Sequence, residues 1–97
     1  MINPIIQKAI KYYGDEIQEN QCIEECAELI QAINKKHRGC THNIPEEIAD
    51  VEICLSQLKI INDCTEEVEQ YKVKKLERLE KRIDNIHDNP ELLEVER

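Results

Sequence analysis

Two groups of acids, Glu24-Glu25-Cys26-Ala27-Glu28 and Glu47-Ile48-Ala49-Asp50, stand inside strongly helical sequence. On a helix, residues three or four apart are neighbours, so each group gathers its carboxylates on one side. The second group is the more informative. With about 100° of turn per residue, Val51, Cys54, Leu58 and Ile61 all fall close to the direction of Glu47. Ile44, Ile48 and Leu55 widen that apolar face, and Asp50 lies at its other edge. Glu47 therefore points along the stripe that should face a core. An isolated charge there is very unfavourable, so the carboxylate must be neutral, paired or bound to a cation. No Lys or Arg lies on the nearby turns of that face, and a bound metal is the simplest solution.

Working outward, the remaining segments also read as helices. Asn3 and Pro4 form a cap and first position for a helix whose apolar side is Ile5, Ile6, Ala9, Ile10 and Tyr13, ended at Gly14. Asp15 is expected to cap a second helix running to about Arg38. Its core stripe is read as Ile23, Cys26, Ala27, Ile30 and Ile33, broadened by Cys22 and Leu29. That arc of roughly 160° is wide enough to touch two neighbours, one of them a partner chain. Glu24, Glu25 and Glu28 lie opposite it, and taken alone they read equally well as a solvated acidic face.

A basic polar loop, 35–43, precedes a third helix capped near Asn43, helped by Pro45 and ending near Ile61. The short turn Asn62-Asp63-Cys64 implies an antiparallel neighbour. Thr65 should cap a fourth helix, with Leu76, Leu79, Ile83 and Ile86 as a bundle or coiled-coil seam. Lys75, Arg78 and Arg82 form a basic ridge beside that seam, which also reads as an ordinary solvated face.

Ninety-seven residues with two Gly, three Pro and no sustained period-2 alternation give an all-α, four-helix bundle-like subunit. Residues 1–88 are expected as a single domain and 89–97 as a short tail. A net charge of −8 disfavours nucleic-acid polymers, though not a small phosphorylated substrate whose charge is masked by divalent cations. The start Met1-Ile2-Asn3-Pro4 does not read as a signal peptide and no run of about 18 apolar residues occurs, so neither a leader nor a membrane partner is expected. Five Cys, an odd number, read as reduced thiols of a cytoplasmic protein. Cys22, Cys26, His37, Cys40 and His42 match no familiar zinc spacing.

Glu-Glu-x-x-Glu followed after eighteen residues by Glu-x-x-Asp resembles the signature of the MazG-like all-α nucleoside triphosphate pyrophosphohydrolases, a superfamily that includes dimeric dUTPases and dCTP pyrophosphatases. Tyr13-Gly14 with Gln18, the run Ala27-Glu28-Leu29-Ile30, Ile48-Ala49-Asp50-Val51 and Lys75-Leu76-Glu77-Arg78-Leu79 extend the resemblance over roughly residues 13–83. It implies hydrolysis of a (d)NTP to a monophosphate and pyrophosphate. It also implies Mg²⁺, with Mn²⁺ as a substitute, held by Glu25, Glu28, Glu47 and Asp50. Glu24 would support a ligand or orient water. Lys75, Arg78 and Arg82 would contact phosphates, and Gln18 the base or sugar. Helices would be shared across a homodimer, or a dimer of dimers. The alternative is a non-catalytic helical module that binds a nucleotide or protein. A plain coiled-coil oligomerisation domain leaves Glu47 unexplained. With only three aromatics, all Tyr, the sequence points to no base-stacking platform.

Overall fold

In the computed structural model, residues 3–93 are described, and the last four residues of the expected tail, 94–97, lie outside them. Four helices follow in order: α1 (Pro4–Tyr13), α2 (Asp15–His37), α3 (Ile44–Ile61) and α4 (Thr65–Asp88). A 3₁₀ turn, η1 (Pro90–Leu92), occupies the start of the expected tail. No strand occurs among the described residues, so the all-α reading holds. The chain divides into two compact units, Met1–Asp63 and Cys64–Arg97.

Local chemistry explains most of the helix ends. Asn3 accepts from the Ile5 N–H at 2.9 Å, and Asn43 accepts from the Glu46 N–H at 3.4 Å. Both caps are followed by a proline in the first turn. Two caps differ from expectation. Asp15 and Thr65 are the first helical residues, and Gly14 and Cys64 hold the cap positions with no side-chain hydrogen bond. Gly14, at φ 87°, ends α1 and begins α2 in one residue, a conformation that favours glycine.

In the first unit, α2 packs chiefly on α3, and α1 lies against both. The Cys22 thiol reaches the Cys54 carbonyl at 3.4 Å, while Glu25 and Glu28 join Asp50 and Glu47 in one cluster. Numbers that rise along α2 meet numbers that fall along α3, so the pair is antiparallel. The contact surface is thin. Its buried residues are the small Cys22, Ala32 and Cys54 with Gln18 and Gln57, and no large side chain is fully buried.

The expected core stripe of α2 does not face this core. Ile23 is 67% exposed and Ile30 60%, and Cys26 and Ala27 are exposed too. The side that meets α3 is Gln18, Cys22, Glu25, Leu29 and Ala32, centred roughly 115° from the expected stripe, so that of the expected arc only Cys22 and Leu29 turn to it. Small residues there let the two backbones approach closely, which the branched Ile side chains would prevent. On α3 the inward face is as expected from Glu47 to Ile61, except that Ile48 and Leu55 are exposed. On α1, Ile6, Ala9 and Ile10 are half-buried, whereas Ile5 and Tyr13 are exposed. Turning each helix by its wheel places the Ile23–Ile30–Ile33 ridge and the Ile48–Leu55 ridge on the same side of the α2–α3 pair.

In the second unit, α4 buries none of its residues, those of the expected seam included. Leu76, Leu79 and Ile83 are exposed and Ile86 is half-buried.

Burial gives the first unit a pH limit. Burial pushes the Cys54 thiol up to about 12, with the adjoining Cys22 adding to it, and burial also raises Cys22 against the opposing Cys54 hydrogen bond. A raised thiol pKa contributes stability that is complete below the unfolded value near 8.5 and is lost as pH climbs towards the folded one. Thermal midpoints should therefore fall steadily above about pH 9, and Cys54→Ala should flatten that decline. An equally steep decline in the variant would show that the thiol is not its source.

Candidate metal centre

α2 and α3 bring together the four acids Glu25, Glu28, Glu47 and Asp50. One carboxylate oxygen from each lies within 4.8 Å of all the others. Antiparallel register sets this up: a three-residue step on α2 faces a three-residue step on α3, so the two pairs meet as a square. Glu28 is exposed, while Glu25, Glu47 and Asp50 are half-buried.

The solvated-face reading of the α2 acids fails for Glu25, because its side of the helix is the one turned to α3. Gln21 Nε2 donates to Glu25 Oε1 at 2.7 Å. That hydrogen bond draws the Glu25 carboxyl down, but burial and the repulsion of Asp50 and Glu28 outweigh it, and the net shift is upward. Glu25 Oε2 and Glu47 Oε2 are both covered and have no hydrogen-bond partner. Covered carboxylate oxygens without partners are costly, and two of the four acids carry one.

The donor set fits a hard divalent cation. All four groups offer oxygen only, as Mg²⁺ and Mn²⁺ prefer. Oxygens on opposite sides of an octahedral Mg²⁺ are about 4.2 Å apart, so a group spanning at most 4.8 Å needs only small side-chain adjustments to close on an ion. The set lacks any imidazole or thiolate, the ligands that favour zinc.

Two cavities flank the acids. One, about 340 Å³, is lined by Glu28 and Glu47 together with Gln31, Lys35, His42 and Asn43. The other, about 230 Å³, is lined by Glu25 and Asp50 together with Tyr13, Gln18, Gln21 and Gln57. The four acids thus form a wall shared by both, two to each side.

Gln18 lies buried in this second cavity, only 5% exposed, with its Oε1 unpartnered, and is not the surface residue its sequence context equally allowed. Gln57 was not singled out in the sequence. It is 7% exposed, and its Oε1 takes a weak 3.9 Å contact from the Cys22 thiol. A polar residue on the inward face of α3 is the same signal that marks Glu47. Tyr13 lines this cavity as well, and its ring lies edge-on to Tyr12 at 4.8 Å. Glu24 is exposed and outside the group of four. Lys75, Arg78 and Arg82 are exposed on α4, in the other unit.

No protein-family model, curated protein or solved structure matches the chain. Among the described residues, no helix is long and apolar enough to cross a membrane.

Proposed function

We propose that this protein is a Mg²⁺-dependent nucleoside triphosphate pyrophosphohydrolase, converting a (d)NTP and water to the monophosphate and pyrophosphate in the cytoplasm, as part of nucleotide-pool house-cleaning. The observation that carries the reading is the square of four carboxylates with two covered, unpartnered oxygens. The likeness of Glu24–Glu28 and Glu47–Asp50 to the MazG-like signature supplies the reaction class.

Glu25, Glu28, Glu47 and Asp50 would hold the ion. When bound, it supplies charge neutralisation for the phosphate chain and lowers the cost of forming a nucleophile from water. The acids themselves fix the register of the phosphates against α2 and α3. Glu24, one residue before Glu25 on the exposed side, orients incoming water. Gln18 offers its unpartnered Oε1 to a donor on the nucleoside. The resemblance alone carries Lys75, Arg78 and Arg82, on the other unit, as contacts to the phosphate chain, where planar guanidinium groups suit phosphate oxygens.

We place a second copy of the chain against the apolar side of the α2–α3 pair, giving a homodimer or homotetramer. The exposed Ile23, Ile30, Ile33, Ile48 and Leu55 give that side apolar surface for a second copy to cover. The competing reading is a helical module that binds a nucleotide or a protein without turnover. It is favoured by the thin core but leaves the two covered carboxylate oxygens without a purpose.

Pyrophosphate release from a panel of normal and modified dNTPs, with Mg²⁺, Mn²⁺ or EDTA, tests the assignment. The expected outcome is metal-dependent release of pyrophosphate with monophosphate in equal amount. Release of inorganic phosphate instead would overturn the reaction class. Silence across the panel, from folded protein, would favour the module.

A further inference from the structure

The two cavities beside the acids differ in chemistry, and that difference gives the substrate a direction. Lys35 and His42 bring cationic or protonatable nitrogen to the cavity that shares Glu28 and Glu47. The cavity that shares Glu25 and Asp50 has no Lys, Arg or His in its lining. Its lining instead holds Tyr13 and the three glutamines Gln18, Gln21 and Gln57, of which Gln18 is nine-tenths buried with an unpartnered side-chain oxygen. A nucleoside triphosphate has the matching polarity: an uncharged planar end rich in N–H donors, a polyanionic end, and the reacting phosphorus between them.

We infer that the Lys35–His42 cavity is the pyrophosphate subsite, with Lys35 and His42 contacting the two phosphates that depart, while the Gln18–Tyr13 cavity takes the nucleoside. The assignment rests on the pyrophosphohydrolase reading and adds to it a binding role for the α2–α3 loop. In the reaction, the water oxygen bonds to the α-phosphorus, and the bond from that phosphorus to the bridging oxygen breaks. The bridging oxygen keeps the electron pair and leaves within pyrophosphate, and the proton of the attacking water passes to solvent. Negative charge therefore accumulates on the leaving side, where a cation is most useful. Lys35 is set there by the end of α2, and His42 by the loop that Asn43 closes on to α3. Neither position is an acid ligand, and both side chains are exposed, so replacing them leaves the helices intact.

The test measures inhibition by each product separately, with Mg²⁺ present throughout. In the double variant Lys35→Met/His42→Gln, the inhibition constant for pyrophosphate should rise about tenfold or more, as loss of charge-assisted contacts implies, while that for the nucleoside monophosphate changes less than about twofold. Gln18→Leu should show the reverse pattern. An unchanged pyrophosphate constant in the double variant overturns the inference, as does parallel weakening of both products in both variants. Turnover by the wild-type protein combined with either result leaves the pyrophosphohydrolase reading standing. Wild-type protein that neither turns over nor binds either product overturns both.

Discussion

Glu47→Gln should reduce pyrophosphate release at least about a hundredfold, the scale seen when a group that stabilises transition-state charge is removed. The substitution keeps the side chain's size and its place in the inward face of α3, removes the charge and turns one acceptor oxygen into an NH2 donor. Glu47 has one oxygen covered and without a partner, which an amide cannot offer to a cation as a charged ligand. Asp50→Asn should act similarly, because Asp50 completes the α3 side of the square. Stability should move the opposite way. Four carboxylates within 4.8 Å repel each other, and neutralising one relieves a few tenths of a kcal/mol for each like-charged neighbour, by analogy with like pairs on one helix. The metal-free variant should thus melt at or slightly above the wild-type temperature, with unchanged helical circular dichroism. Lost turnover in a protein that is equally or more stable separates a functional acid from a structural one. Turnover within a factor of about three of wild type would sink the metal assignment.

The α3 half of the acid cluster was legible in the sequence, because it depends on one local spacing and on Glu47 breaking an apolar stripe. The α2 half came with the family resemblance, since the expected core stripe turned Glu25 and Glu28 away from α3. The caps at Asn3 and Asn43 were legible too: each rests on contacts within four residues. The face that α2 turns inward was not. Helical periodicity reports where apolar residues lie, and on α2 they are the large Ile23, Ile30 and Ile33. What decides the α2–α3 contact instead is close approach, which selects the small Cys22 and Ala32 and carries Gln18 and Glu25 in with them. Bulk and hydrophobicity point to one side of α2, and fit against α3 selects another. The two buried glutamines escaped for a related reason. An amide on an inward face has no partner that sequence spacing can name, and only the assembled cavity shows Gln57 beside Gln18.

Mg²⁺ should raise the thermal midpoint markedly, and the rise should shrink in acid. Glu25 states the sign. Although Gln21 lowers its carboxyl, burial and the Asp50 and Glu28 charges raise it overall. A raised carboxyl pKa contributes stability that is complete below the unfolded value near 4.3 and is lost as pH rises through the folded value. Without a cation, Glu25 therefore makes the first unit less stable at neutral pH than in mild acid. A cation that binds only the folded square reverses this by replacing repulsion with attraction. At a Mg²⁺ concentration a hundred times the dissociation constant, the gain is about 2.7 kcal/mol. In a chain of this length that corresponds to roughly 10–20 °C. At pH 5, protons compete for the same oxygens and the increment should be clearly smaller than at pH 8. Scans in EDTA, Mg²⁺ and Mn²⁺ at both pH values measure it, and Glu47→Gln should abolish most of the increment at pH 8. Equal midpoints in EDTA and in Mg²⁺ at pH 8 would mean that the square does not hold a metal, and the helical module would then be the better account of the chain. A rise that is the same at both pH values and survives Glu47→Gln would place the ion elsewhere. Only a rise that depends on both Glu47 and pH joins the covered oxygens, the raised Glu25 carboxyl and the shared wall of the two cavities into one cation site.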